Sequence, residues 1–141
     1  MVHSQSPLWK RITKSFSGQT MMGTLGATVT EVCEGGVEIT LPAAPHVCQQ
    51  HGFIHGGALM AIADTASGYA AYTTVPPDKE VLTVEFKLNF LRPAQGNAVA
   101  SAQVVRAGKS IIVVSSDVSC DDKIVVTGLG TFAVVEAPTA R

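Results

Sequence analysis

One run of the chain limits what the rest can do. From Gly56 to Thr73 the sequence reads Gly-Gly-Ala-Leu-Met-Ala-Ile-Ala-Asp-Thr-Ala-Ser-Gly-Tyr-Ala-Ala-Tyr-Thr, with Asp64 as its one charge. The run is long enough for about five helical turns. A helix this apolar all round is expected to be buried on every side, so the other elements must wrap it. Pro76 and Pro77 stop it, since they lack the N–H donors that would extend it. Asp64 must be paired, hydrogen-bonded or held at a site, because an isolated buried charge is costly. At the start of the helix, Gly56 and Gly57 leave backbone N–H groups uncovered at its positive end. A carbonyl oxygen gaining charge is stabilised there. A carboxylate and an oxyanion donor on one element form an active-site pattern.

The flanking segments supply the wrapping. Residues 7–17 place Leu8, Trp9, Ile12 and Phe16 on one side and Lys10, Arg11 and Lys14 elsewhere, which predicts a short amphipathic helix. Leu25, Ala27 and Val29 alternate with polar or small residues; after Glu34-Gly35-Gly36, Val37, Ile39 and Leu41 do the same, which predicts a hairpin. Along 81–94, Leu82, Val84, Phe86, Leu88 and Phe90 share one face of a strand, with Thr83, Glu85, Lys87 and Asn89 on the other. Further strands are expected at 97–106, 110–120 and 124–135, joined at Ala107-Gly108 and Asp121-Asp122-Lys123. One long helix between a hairpin and a four-strand meander suits an α+β fold, an antiparallel sheet of about six strands curled around that helix. No repeat or linker interrupts the pattern. The expectation is a single domain over 1–141, with 1–20 as an N-terminal helical arm and 136–141 as a tail.

Composition narrows the function. The chain of 141 residues is 46% hydrophobic and only 15% charged, with a mean hydropathy of +0.28. Subunit contacts would absorb that apolar excess, since isolated domains seldom leave so much apolar surface wet. A net charge of −1 argues against a nucleic-acid partner, which needs a basic face. No apolar run reaches membrane-spanning length, and Met1-Val2-His3-Ser4-Gln5 does not open like a signal peptide, so no membrane association is expected. Cys33, Cys48 and Cys120 are an odd number without a CxxC pair, which reads as reduced thiols in a cytoplasmic protein.

The combination of Gln49, His55-Gly56-Gly57 and Asp64 resembles the hotdog-fold acyl-CoA thioesterases of the PaaI-like, phenylacetate-pathway type. The strand Val81 to Ala94 and the turn Arg106-Ala107-Gly108-Lys109-Ser110 continue the likeness, which runs from Gly23 to Val135. The resemblance implies hydrolysis of a thioester to free acid and coenzyme A. Coenzyme A is then part of the substrate, with no separate cofactor. By the same resemblance Asp64 acts as general base or as nucleophile, and the Gly56 N–H polarises the carbonyl. His55 orients the thioester or Gln49, or else closes the helix N-terminus. Gln49 holds the carbonyl oxygen or the water. Thr83 matches a hydroxyl that holds water in relatives, with Ser67 as the weaker choice and Gly68 where some relatives carry a hydroxyl. Gly57, Phe90, Arg92, Arg106, Gly108, Lys109 and Ser110 match positions that meet substrate and coenzyme A, although Arg106 to Ser110 also reads as a solvated turn. Relatives tend to pair Gln with Glu or Asn with Asp, so Gln49 with Asp64 mixes two patterns and assigns no acyl group.

Geometry adds a partner. Gly56 and Asp64 are eight residues apart, which on one helix is about 12 Å along the axis. One thioester carbon cannot touch both. Two antiparallel copies of the helix about a twofold axis bring Gly56 of one chain to Asp64 of the other, so a homodimer is expected, assembling further into a homotetramer. His46, Cys48, His51 and His55 include good zinc ligands but lack paired spacing, and no metal is expected. Two other functions fit the fold: a non-catalytic acyl-CoA binding or sensor protein, and a hotdog dehydratase or hydratase. Against the latter, the chain has no Asp-x-x-x-x-His motif.

Overall fold

The computed structural model describes residues 6–139. The reading of Met1–Gln5 and the last two positions of the tail lie outside the described residues. In chain order the elements are α1 (Pro7–Ser17), α2 (Thr20–Leu25), β1 (Thr28–Cys33), β2 (Gly36–Leu41), α3 (Gly56–Tyr72), β3 (Lys79–Phe90), β4 (Ala98–Ala107), β5 (Ile111–Cys120) and β6 (Lys123–Glu136). The six strands form one antiparallel sheet in the order β1-β2-β4-β5-β6-β3, and α3 packs against five of them. This is the hotdog arrangement expected. Ala63, Ala66 and Ala70 of α3 are fully buried, and their small side chains let the helix sit close to the sheet, in one core with Ile39, Ile112 and Val114. Among the described residues, no helix is long and apolar enough to cross a membrane.

Three departures from the sequence pattern matter. Leu25 does not start a strand; it ends α2, and β1 begins only at Thr28. Gly26 closes that helix at φ +82°, and the Ala27 N–H reaches back to the Met22 carbonyl at 3.0 Å, a glycine stop that the alternation of Leu25, Ala27 and Val29 hid.

Nor is α3 enclosed on every side. Gly57 and Met60 are exposed and Ala61, Asp64, Thr65 and Gly68 half-buried, a stripe recurring at steps of three and four residues. The sheet covers one side of the helix and leaves this stripe open.

The third departure is a β-bulge in β3. Thr83 lies opposite Phe132 and Glu85 opposite Thr131, so Val84 is an extra residue. The bulge inverts which residues face the helix. Thr83 joins buried Phe132 on the inner side, and Phe86 and Leu88 follow it there beyond the bulge. Leu82 and Val84, expected on the same face as Phe86, are instead 60% and 62% exposed. Strict alternation cannot reveal an inserted residue.

Gly130 of β6 makes room for this arrangement. A Cβ at Gly130 would lie 2.6 Å from the Phe86 ring and 2.9 Å from Phe132. Gly130→Ala should therefore overpack the sheet–helix interface and cost about 1–3 kcal/mol. Urea unfolding should show a lower midpoint at unchanged slope. An unchanged midpoint would mean that the two rings move aside freely.

Candidate active site

Asp64 lies on the open stripe of α3. The Thr83 hydroxyl donates to Asp64 Oδ1 at 2.8 Å, a contact made possible by the bulge that turns Thr83 inward. Burial holds the Asp64 carboxyl above the ordinary carboxylate range, and the Thr83 hydrogen bond offsets part of that rise. Such a carboxylate is a stronger base than a solvated one. Ser67 is not an alternative to Thr83: it is fully buried, and its hydroxyl donates to the Ala63 carbonyl of its own helix at 2.8 Å. Asp64 and Thr83 open into a chamber of about 210 Å³. Gly68, Tyr69, Tyr72, Val81 and Phe132 also line it, with Ser15 and Gln19 from the N-terminal segment.

The helix N-terminus is organised separately. His55 is the N-cap of α3, and its Nδ1 accepts the Gly57 N–H at 2.7 Å. That bond requires Nδ1 to be unprotonated, so the neutral ring carries its proton on Nε2. The Gly57 N–H is therefore occupied, and Gly57 is not the free donor expected. Among the described residues, the Gly56 N–H has no protein acceptor. It stands at the positive end of the helix, free to bind an oxygen that gains charge. The Phe90 ring packs over Gly56, 3.4 Å from where a Cβ would be.

The loop before α3 positions Gln49. Its backbone N–H donates to the Phe53 carbonyl at 2.8 Å, and its carbonyl accepts from Gly52, which turns the loop at φ +84°. The side-chain oxygen of Gln49 accepts the His51 N–H. This leaves the Gln49 NH₂ group to donate elsewhere. Gln49, Gly56, Phe90 and Arg92 line one cleft of about 380 Å³. His55 and Gly57 face a third cavity instead, beside Met21, Leu25, His46 and Cys48.

The predicted residues thus divide between two ends of one chain. The chamber of Asp64 and Thr83 shares no lining residue with the cleft of Gln49 and Gly56. The β4–β5 turn belongs to the Asp64 end, because Ile111 lies opposite Ala133, and Ala133 lies opposite Leu82, next to Thr83. Arg106, Lys109 and Ser110 are exposed there. The Gly108 N–H donates to the Ile111 carbonyl at 2.9 Å, so the turn itself uses that donor. A Cβ at Gly108 would lie 2.6 Å from the same oxygen, which accounts for glycine there. Among the described residues, no three His, Cys, Asp or Glu side chains converge as metal ligands. His46 Nε2 lies 3.3 Å from the Leu25 carbonyl, the Cys48 thiol donates to the Ala44 carbonyl, and all three cysteines are unpaired. The sequence pattern had assigned no role to Ser15, Gln19, Tyr69 or Tyr72. The available signal was two aromatic residues among the small residues of the helix.

A model of the thioesterase superfamily matches residues 51–127. A thioesterase family protein from Silicibacter pomeroyi has a solved structure similar to this chain. It is 33% identical with a TM-score of 0.87, over 92% of this chain and 99% of that one. A 1,4-dihydroxy-2-naphthoyl-CoA hydrolase of Listeria monocytogenes is 31% identical over 88 residues, 62% of this chain and 72% of the relative. The PaaI protein from the phenylacetic acid degradation operon of E. coli shares the fold, at 24% identity and a TM-score of 0.84 over 91% of this chain and 93% of that one.

The Thr83–Asp64 bond can be read without substrate. In an NMR titration the Asp64 carboxyl should ionise above the usual carboxylate range. Thr83→Val should move it further up, because the lost hydrogen bond favoured the charged form. A shift downward, or none, would show that the hydroxyl does not stabilise the carboxylate.

Proposed function

This chain belongs to the thioesterase superfamily, and from that premise we propose that it hydrolyses an acyl-CoA thioester to free acid and coenzyme A at a site shared by two copies of the chain. The observation carrying this reading is the division of the site. Gln49 and Gly56 open into one cavity and Asp64 and Thr83 into another, with Gly56 and Asp64 eight residues apart on α3. A twofold axis over the open stripe of α3 would set the cleft of one copy against the chamber of the other. The exposed Leu82 and Val84, on the outer face of edge strand β3, are apolar surface that association of copies would cover. Pairing of two such dimers would give the homotetramer.

The chemistry then follows from the side chains. The Gly56 N–H and the Gln49 amide donate to the thioester oxygen and stabilise its developing negative charge. Asp64 of the other copy takes a proton from water as the water oxygen attacks the carbonyl carbon. The tetrahedral intermediate collapses, the carbon–sulfur bond breaks, and the proton on Asp64 passes to the departing thiolate. Alternatively, the carboxylate attacks the carbon itself, the carbon–sulfur bond breaks as the coenzyme A thiolate leaves, and water hydrolyses the resulting anhydride to the free acid and the Asp64 carboxylate. Thr83 keeps one Asp64 oxygen occupied and so directs the other to the reaction. His55 acts as a positioning residue, holding the first turn of α3 so that the Gly56 N–H stays aimed. Arg92 beside Phe90 from one copy, and Arg106, Lys109 and Ser110 from the other, supply the positive charge and donors that the phosphates of coenzyme A require. The Listeria relative is named for hydrolysis of a CoA thioester, which supports the same substrate class. No separate cofactor or metal enters this mechanism, and a cytoplasmic location agrees with a coenzyme A substrate and free thiols.

Thiol release from a panel of acyl-CoAs tests the reaction. Asp64→Asn should lower turnover by about two to four orders of magnitude while substrate still binds. Near-normal hydrolysis by a folded Asp64→Asn protein would remove the residue from the mechanism. Binding without thiol release by the unmodified protein would leave an acyl-CoA binding module.

The shared site has its own test. Homodimers of Asp64→Asn and of Gly56→Pro should both be nearly inactive. Mixed and re-associated, each heterodimer should hold one site with both defects and one with neither, restoring about half the activity per heterodimer. If tagged pull-down confirms exchange and no activity returns, both groups serve one chain and the twofold arrangement is wrong.

A further inference from the structure

We infer that the His55 cap is an acid-sensitive latch: proton uptake by its ring breaks the bond to the Gly57 N–H, loosens the first turn of α3 and slows the site that the Gly56 N–H serves. The effect on rate rests on the thioesterase reading; the latch itself rests on the geometry of the cap alone.

Helix caps are usually oxygens of serine, threonine, asparagine or aspartate, which remain acceptors through neutral pH. Imidazole changes charge between about pH 5 and pH 8. His55 precedes α3 in an extended conformation, at φ −61° and ψ 136°, and its Nδ1 accepts the Gly57 N–H at 2.7 Å. A proton on Nδ1 turns that acceptor into a donor. Two N–H groups would then point at one another, and the ring must swing out. The new positive charge also stands at the positive end of the helix, where it is repelled. The first turn of α3 carries no acidic residue to offset it. Gly57 is matched to the ring. A Cβ there would lie 3.0 Å from Nδ1 and 3.2 Å from Cε1, so the missing side chain is what lets the imidazole close over the turn.

The surroundings do not compensate the charge. The cavity beside the ring receives Met21 and Leu25 from α2 and His46 and Cys48 from the loop before α3, and no carboxylate lines it. The Cys48 thiol donates to the Ala44 carbonyl. On the cleft side of the same turn the charged group is Arg92, another cation, and His51 is exposed in the loop. His46 Nε2 lies 3.3 Å from the Leu25 carbonyl, a contact in which the ring nitrogen donates and which a further proton leaves intact. The two histidines of the cavity thus respond oppositely to acid: His46 keeps its bond and His55 loses its own. The cap exists while the His55 ring is neutral, at higher pH, and is lost as pH falls through the titration of the ring.

Asp64 adds a second acid limb, because a protonated carboxyl is no base. The two differ in form. A lost cap lowers kcat/KM to a new plateau, by about two- to fivefold, the larger figure being what one N-cap contributes. Protonating the base lowers it by about tenfold per pH unit without a plateau.

NMR reads the latch directly. From about pH 8.5 to about pH 5, the Gly57 amide signal should shift with the same midpoint as the His55 ring, whose nitrogens should report the Nε2–H tautomer at the upper end. His55→Asn supplies a capping oxygen that does not titrate, so its Gly57 signal should stay in place. His46→Gln should leave the Gly57 titration as in the unmodified protein. In thiol release from acyl-CoA, His55→Asn should lose the plateaued step and keep the Asp64 limb, whatever its absolute rate. A Gly57 signal that stays still while His55 titrates, or a His55 ring that stays neutral throughout, overturns the latch. A rate profile without the plateaued step, or one in which His55→Asn retains it, overturns the coupling of the latch to the site. If no thioester is hydrolysed, the hydrolase reading fails alone, and the Gly57 titration still decides the latch.

Discussion

The close seating of α3 on the concave face of the sheet is the contact from which the other features follow. It depends on Ala63, Ala66 and Ala70, whose small side chains share one buried core with Phe132, Ile112 and Ile39 of the sheet. Because the sheet reaches around only one side, the opposite stripe of the helix carries Gly57, Met60, Ala61, Asp64 and Gly68 to the surface. A carboxylate that would be prohibitive in the core becomes tolerable there, half-buried and hydrogen-bonded. The same half-burial raises its affinity for a proton.

The bulge at Thr83–Glu85 connects the sheet to this chemistry. Without the extra residue, the alternation of β3 would put Thr83 on the outer face with Glu85 and Lys87. With it, Thr83 turns to Asp64 while Phe86 and Leu88 still reach the core, helped by the absent side chains of Gly128 and Gly130. Local irregularity in an edge strand thus re-aims one hydroxyl at little cost to packing. At the other end of the helix, His55 caps the first turn and consumes the Gly57 N–H, so that the Gly56 N–H remains the available donor. One sequence motif, His-Gly-Gly, therefore yields a cap, an open donor and an occupied one.

Much of the fold was legible in the residues. Eighteen nearly uncharged positions could only be a central helix, the apolar alternation of the second half could only be strands, and Asp64 stood out because nothing else in its helix is charged. What escaped was what periodicity cannot encode. The glycine stop at Gly26 looks like part of an alternating run, since Leu25, Ala27 and Val29 are spaced like strand residues. The bulge is invisible because each half of β3 alternates correctly and only the phase changes. The Ser15–Gln19–Tyr69 cluster joins residues fifty or more positions apart, and neither segment alone implies the other.

By itself, then, the sequence determined the helix, the strands around it, and the chemical types available: one carboxylate, two helix-opening glycines, a glutamine, a histidine and a threonine. Those are consequences of local pattern and of the cost of burying charge. Which of them meet was decided by tertiary structure. The bulge chose Thr83 over Ser67 as the partner of Asp64, the N-cap of α3 chose Gly56 over Gly57 as the free donor, and the rigid rise of the helix kept Gly56 and Asp64 in separate cavities. Side-chain reach is a few ångströms, so proximity depends on strand register, caps and helix rise, and a linear pattern specifies none of them until the chain has packed.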